Sequence, residues 1–523
     1  MKKIIRLLSV MSIVAFFFVS CDNALDINKD PNYPSSASSG LLFSSGTTWS
    51  ASILGSDVQL TTALWAQHYS QNNTSQQYFT IDSYNLAYNS TYFTRYWSSI
   101  YAGALPDLKR VISQSAANGE WNYWLQSKIL TAFDFYMLSS LWETIPLSQA
   151  LQGNDNLTPA YDDPTKIDGE IIQILDDAIA KKADAAAIIT NMGGSDAKDM
   201  IFKGNIDNWV KFAKTLKLKI LMRNFTANTT AITALLTEGD LLKTDAKFAQ
   251  FTDAENKSNP LYENDRRKLN TTSNIRVSAT LVQFLKTYND PRIAAFAEPV
   301  TQYIQVGSSA STDKLVNVPA SMQPYYRGLD QGVYGNPTFS SNVLPPTAHS
   351  RAVLAANDPV YFLSAAESNF LQAEAWARLN NPTNAKTAYD AAVKAAFSRW
   401  GYDATPFISA GGAYEFKTTS LDAMLNCILM QKWVSSVRTD SWNAFFDICR
   451  TGIPAMGTQT VTDLTRISMV NANYVVGTLA PSLGSVLGAG QYPHRFLIPK
   501  SSLDYNPKAP AVIPITTKMW WHK

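Results

Sequence analysis

From residue 41 onward the apolar positions return mostly at helical spacing. Tyr96, Ile100, Ala104 and Leu108 recur every four residues and give 91–111 one apolar face. Residues 121–141 are rich in large apolar side chains, the pattern of a buried helix, and Pro146 ends that region. Asp163-Pro164 opens a further helix over 165–184, with Ile167, Ile171, Ile174, Leu175 and Ala178 on one side. Trp209, Phe212, Ala213, Leu216 and Ile220 mark another from Asn205 to Arg223.

The clearest pair lies at 358–399. Phe362, Ala366, Phe370, Ala373 and Ala377 mark its first helix, and Asn380-Asn381-Pro382 breaks it. Thr383 or Asn384 is the expected cap of the second helix, lined by Ala385, Tyr389, Ala392 and Ala396. Alanines let two helix axes approach closely. A helical hairpin of this kind is the unit of a tetratricopeptide repeat, and a lone hairpin has the same pattern. Between 253 and 350 Asn, Ser, Gly and Pro rise and the periodicity fades, except near 278–289; 403–420 and 452–515 are loop-rich as well. The expected fold class is mostly α. Tetratricopeptide-like helix pairs form the scaffold of one domain over 41–523, and large irregular insertions at about 253–350 and 452–515 carry the ligand site, since loops on a rigid scaffold are where binding usually resides.

The beginning of the chain has a different character. Lys2, Lys3 and Arg6 precede an apolar run from Leu7 to Val19, followed by Ser20 and Cys21. The run is short for a membrane span and reads as a secretory signal over 1–20, with Cys21 placed for lipid attachment and Phe18 where Leu is usual. Residues 21–40 then read as a polar tether. Asp22, Asp26 and Asp30 suggest a calcium loop, but Pro31 and Ala37 stand where an EF-hand needs Gly and Glu.

Composition narrows the function. The net charge is +2 with 16% charged residues, and no basic stripe marks a nucleic-acid surface. The 13 Trp, 24 Tyr and 24 Phe supply flat faces with polar edges, mostly for the core and in part for flat ligands such as sugar rings. Trp97, Trp209, Trp376, Trp433 and Trp442 are expected in the core. Cys427 and Cys449 are compatible with a disulfide or with two buried thiols. His68, His349, His494 and His522 have no metal-ligand spacing. Phosphate-binding glycine loops, zinc-protease and nucleophile-elbow motifs are all missing from the sequence. A glycoside hydrolase needs only two carboxylates and stays open on sequence grounds. Glu367 and Glu374 share a helix face, where a solvated or capping role is expected.

Several segments, in order along nearly the whole chain, resemble the SusD/RagB family of lipoproteins. They are CDNALDINKDPNYPSS after the signal, YWSSIYAGALPDLKRV at 96–111, LWETIPLSQAL at 141–151 and NWVKFAKTLKLKILMRN at 208–224. ESNFLQAEAWARL at 367–379, QKWVSSVRTDSWNAFFDICRTGIP at 431–454 and RFLIPKSSLDYNP at 495–507 complete the set. The set is similar to the SusD-like subgroup of starch-binding outer-membrane lipoproteins. One departure is Glu143-Thr144, where the family commonly has Gly-Asp before Ile/Val-Pro.

The resemblance implies a helical scaffold, a cell-surface location on the outer membrane, and a SusC-like TonB-dependent transporter as partner, with the lipoprotein as its hinged lid. It implies binding of oligosaccharide, or in some members peptide, without catalysis. No cofactor is expected, and structural calcium is left open. Two polar-aromatic clusters are candidate ligand sites: Tyr69, Asn72, Asn73, Gln76, Gln77, Tyr78, Tyr84 and Tyr88 in one, and Tyr303, Tyr325, Tyr326, Arg327 and Tyr334 in the other. The alternatives are a peptide-binding lid, a glycoside hydrolase with an unidentified carboxylate pair, and a tetratricopeptide-type protein-interaction module.

Overall fold

The computed structural model describes residues 37–87, 92–268, 274–305, 314–335, 345–457, 474–488 and 490–523. The signal, Cys21, most of the tether and Tyr88 lie outside the described residues, as do parts of both insertions.

The longer helices are α1 (Ser39–Ile53), α2 (Gln59–Trp65), α3 (Leu105–Asn118), α4 (Trp121–Trp142), α5 (Pro164–Ala180), α6 (Lys182–Asn191), α7 (Ile206–Leu221) and α8 (Thr229–Glu238). Within the first insertion lies α9 (Ala279–Thr287), and after it come α10 (Ala365–Arg378), α11 (Pro382–Ser398), α12 (Leu421–Ser435) and α13 (Ser441–Thr451). The strands are short: β1 (Tyr69–Gln71), β2 (Ala246–Phe248), β3 (Ile275–Val277), β4 (Gln302–Gln305), β5 (Lys314–Asn317) and β6 (Val360–Leu363). They pair antiparallel as β1–β3, β2–β6 and β4–β5. The fold is therefore mostly α, as expected.

The four-residue repeat at 96–108 has a physical cause. In a regular α-helix a four-residue step drifts by about 40°. Here the helix Thr94–Ser99 passes through a wider π-turn, Ile100–Ala104, before continuing as α3. The π-turn offsets part of the drift. Tyr96, Ile100, Ala104 and Leu108 consequently all stay buried. Gly46 of α1 lies against Leu108, where an added Cβ would come within 2.9 Å of the Leu side chain.

Side-chain caps set several other boundaries. Asp163 accepts from Thr165 N at 3.0 Å and Pro164 starts α5. That helix ends at Ala180 rather than 184, and α6 follows after Lys181, an element the sequence reading did not separate. Asn205 caps α7 through Asn208 N at 2.9 Å. The hairpin at 358–399 needs two corrections. Phe362 belongs to β6, because Ser364 caps α10 by accepting from Glu367 N at 3.1 Å. Asn381, not Thr383 or Asn384, caps α11 by accepting from Asn384 N at 3.0 Å, and Pro382 takes the first helical position. The expected faces then meet: Ala366, Phe370, Ala373 and Ala377 are buried, as are Ala385, Tyr389, Ala392 and Ala396.

Glu367 and Glu374 are not solvated. They are 3% and 0% exposed and sit in an ionic network inside the helix stack. Lys219 and Lys432 both pair with Glu367, and Lys432 reaches Asp447 at 2.7 Å. Arg450 clasps Glu374 with two 2.7 Å bonds and also meets Asp447 at 2.7 Å, while Arg378 adds 2.8 Å to Glu374. The segments that carry the family resemblance thus supply a paired-charge core. Around it, Phe133 contacts Phe212, Phe362 and Trp442 at centroid distances of 6.0, 5.1 and 6.0 Å. No disulfide joins Cys427 and Cys449, which are separate thiols.

Candidate functional site

The two predicted clusters come together. β1 lies beside β3, Ser278 bridges Leu329, and Ser70 Oγ donates to the Asp330 carbonyl at 2.7 Å. Asp82 is the hub of this junction. Its carboxylate accepts from Gly332 N at 2.8 Å, Gln331 Nε2 at 3.0 Å, Gln71 N at 3.2 Å and Ser70 Oγ at 3.4 Å. Burial raises Asp82 to about 7, although the donors pull the other way. Gln71 closes the loop beyond it, accepting from Tyr78 N at 2.9 Å and donating to Ser75 O at 3.0 Å.

This tight internal bonding places six of the predicted site residues beneath the surface. Tyr69, Asn72, Asn73, Tyr78, Tyr84 and Arg327 are buried, with Tyr69 and Asn72 at 1% exposure. Tyr84 packs its ring on Tyr492 at 6.0 Å. Asn72 accepts from Thr74 N at 3.3 Å and its own N donates to Asn274 O at 2.7 Å, so it shapes the loop. In this conformation these six side chains lie beneath the surface of the junction.

Tyr303, Tyr325, Tyr326 and Tyr334 are partly exposed. Tyr303 and Tyr325 stand 5.4 Å apart at 57°, and Lys286 at the end of α9 holds its ammonium 4.7 Å above Tyr325. β4 and the bridge between Val300 and Tyr325 set that pair. Tyr334 lies 5.2 Å from Phe79, and its hydroxyl donates to Gln76 at 3.5 Å. Tyr326 packs against the edge of the core. Phe79 and Lys286 escaped the sequence reading. Phe79 adjoins Tyr78 in a stretch already singled out, whereas nothing local marks Lys286. The arrangement offers tilted rings flanked by an amide and an ammonium, which suits a ligand with apolar faces and a hydroxylated edge.

A separate cleft of about 770 Å³ opens between α3, the segment at 146–161 and the short helix Lys500–Tyr505. Trp97, Tyr101, Tyr161 and Tyr505 line it with Lys109 and Arg110. Trp97 stacks on Tyr161 at 6.1 Å and 19°. Trp97 therefore borders this cleft as well as the core.

A helical-hairpin scaffold with an aromatic loop face defines a ligand-binding protein. The chain belongs to the SusD-like family: a family profile described as starch-binding and associating with the outer membrane matches residues 31–471. The family binds its ligands and is not enzymatic. Solved structures share the fold. A SusD homologue from Bacteroides uniformis is 18% identical with a TM-score of 0.67, covering 93% of this chain and 100% of that one. A SusD/RagB family protein from Bacteroides thetaiotaomicron is 20% identical with a TM-score of 0.65, over 93% and 99%. A chitin-binding SusD homologue from Flavobacterium johnsoniae is 18% identical with a TM-score of 0.65, over 92% and 98%. No curated protein matches by sequence. Among the described residues no helix is long and apolar enough to cross a membrane.

Proposed function

We propose that this chain is a cell-surface lipoprotein, anchored through Cys21, that captures oligosaccharide and hands it to a SusC-like TonB-dependent transporter. The observation that carries the ligand part is the pair of half-exposed ring groups, Tyr303–Tyr325 under Lys286 and Tyr334–Phe79 beside Gln76. Sugar rings present C–H groups to such faces and hydroxyls to the amide and ammonium. Each ring contact contributes on the order of 0.5–1.5 kcal/mol beyond area burial. Binding assembled from such terms is weak per ring, which suits capture followed by release. The family's starch-binding description and the chitin-binding relative support a glycan over a peptide.

A binding screen of starch- and chitin-derived oligosaccharides and of peptides tests the reading. Glycan binding that weakens in Tyr325→Ala and Tyr334→Ala supports it. Binding that instead weakens only in Tyr161→Ala and Tyr505→Ala moves the site to the 770 Å³ cleft. Binding of peptides alone establishes the lid as a peptide carrier. Co-purification with a SusC-like transporter from membranes tests the partner.

A further inference from the structure

We propose that Cys449, His494 and His522 form a binding site for one zinc-class divalent cation. The fold gathers these residues although no spacing in the sequence marks them. Cys449 sits on the last turn of α13. Lys523 N donates to the Cys449 carbonyl at 3.0 Å, and His494 N donates to Ile515 O at 2.7 Å. Two extended segments thereby lie together over the end of α13. One ligating atom from each of the three residues falls within 4.8 Å of the other two.

Two further observations point to a ligand. First, His494 Nδ1 and His522 Nε2 are buried with no hydrogen-bond partner. Two orphaned ring nitrogens in one place are costly, and a cation between them satisfies both. Second, the Cys449 thiol is 3% exposed and makes only a long 3.9 Å contact to Pro493 O.

One thiolate and two imidazoles are the donors zinc takes, and they discriminate against calcium and magnesium, which prefer oxygen. Metal–ligand bonds of about 2.0–2.3 Å set donors around one tetrahedral ion about 3.3–3.8 Å apart, and the three donors here lie within 4.8 Å of one another. Two features oppose binding. Met519 N donates to His522 Nδ1 at 3.3 Å, which leaves the ring proton on Nε2. Metal at Nε2 moves that proton to Nδ1 and gives up this long bond. Lys518 and Arg495 are nearby cations, but Arg495 is paired with Glu143 and the thiolate supplies a negative charge. The Cys449 sulfur forms the bond to the metal, and its proton leaves to solvent.

The test uses the full chain stripped of metal. Zinc is titrated by calorimetry and cobalt by absorption. The expected result is one equivalent bound per chain, release of the thiol proton, a thiolate-to-cobalt charge-transfer band and a raised melting temperature in zinc. Cys449→Ser and His522→Gln should each abolish the one-equivalent binding, while Cys427→Ser leaves it intact. If a variant fails to fold, the wild-type chain still decides. No stoichiometric zinc binding, or no thiolate-to-cobalt band in the wild-type chain, overturns the proposal.

Discussion

Glu143 ends α4 with a φ of +69° and sends its carboxylate across the fold to Arg495. Thr144 N donates back to Trp142 O at 3.0 Å, so the chain turns within three residues. This is the position where the family resemblance has Gly. A residue with a Cβ held there costs about 1–3 kcal/mol. Arg495 is 1% exposed, and stranding a buried charge costs about 3–5 kcal/mol. Glu143 also accepts from Trp520 N at 2.7 Å. The lost pairing outweighs the relieved turn. Glu143→Gly should therefore destabilise the protein by about 2 kcal/mol, read as a lower urea midpoint. The double variant with Arg495→Met should recover most of that loss.

The Arg450–Glu374 clasp gives the fold an acid limit. Burial alone would raise Glu374, but Arg450 and then Arg378 bring it down to about 2. Burial likewise opposes Asp447, which Lys432 and Arg450 hold below the usual carboxylate range. A carboxylate depressed in the folded state contributes stability above its unfolded pKa, near 4.3 for Glu. That contribution disappears as pH falls from about 4.3 toward 2. Unfolding midpoints should drop steeply over this window. Arg450→Met should be less stable at pH 7 by about 3 kcal/mol and should show a shallower acid slope.

Asp134 has the opposite sign. It is buried in α4 at 1% exposure, with Ser50 Oγ donating at 2.8 Å and no cation paired with it among the described residues. Burial raises it to about 8. A carboxyl whose folded pKa exceeds its unfolded value stabilises the fold fully below about 3.9, and the contribution is lost as pH rises to about 8. Asp134→Asn keeps the shape and removes the proton. Melting temperatures at pH 8–9 should be higher for the Asn variant than for wild type, with the two converging near pH 4. A wild-type melting temperature that is flat from pH 5 to 9 would show that Asp134 does not titrate in this range.

Legibility in the sequence followed the range of the contacts. Helical faces were legible because their apolar positions repeat locally, and α7 runs from the Asn205 cap almost to the predicted end. Phe362 was assigned to α10 because one apolar residue at helical spacing fits a strand as well as a helix. The polar core was invisible for a different reason. Glu367 and its partner Lys219 lie 148 residues apart, and nothing near either marks the pairing. The site shows the same split. The polar-aromatic composition singled out two segments that meet at Asp82, but composition does not say which ring faces inward. Asp82 decides that by pulling in Gln331 and Gly332 from the second segment. Tyr69 and Tyr84 are buried around this junction, and Tyr334 is left at the rim.

That split separates two kinds of tyrosine by experiment. Tyr325→Ala and Tyr334→Ala remove half-exposed rings, so stability should change little. Glycan affinity should fall roughly 2- to 13-fold for each, the equivalent of about 0.5–1.5 kcal/mol per ring. Tyr69→Ala and Tyr84→Ala empty core positions and should cost about 3–5 kcal/mol of stability. Their effect on affinity should track the fraction of folded protein. Asp82→Ala belongs between them, because it frees Gly332 and Gln331 and loosens the seat of Tyr334 while leaving Tyr303 and Tyr325 in place. Calorimetric titration on folded material should therefore show a loss for Asp82→Ala no larger than that for Tyr334→Ala. Combining Asp82→Ala with Tyr334→Ala should add little, since both act on one ring, whereas Asp82→Ala with Tyr325→Ala should be additive. Additivity in the first pair and its absence in the second would place the glycan somewhere other than these two ring groups.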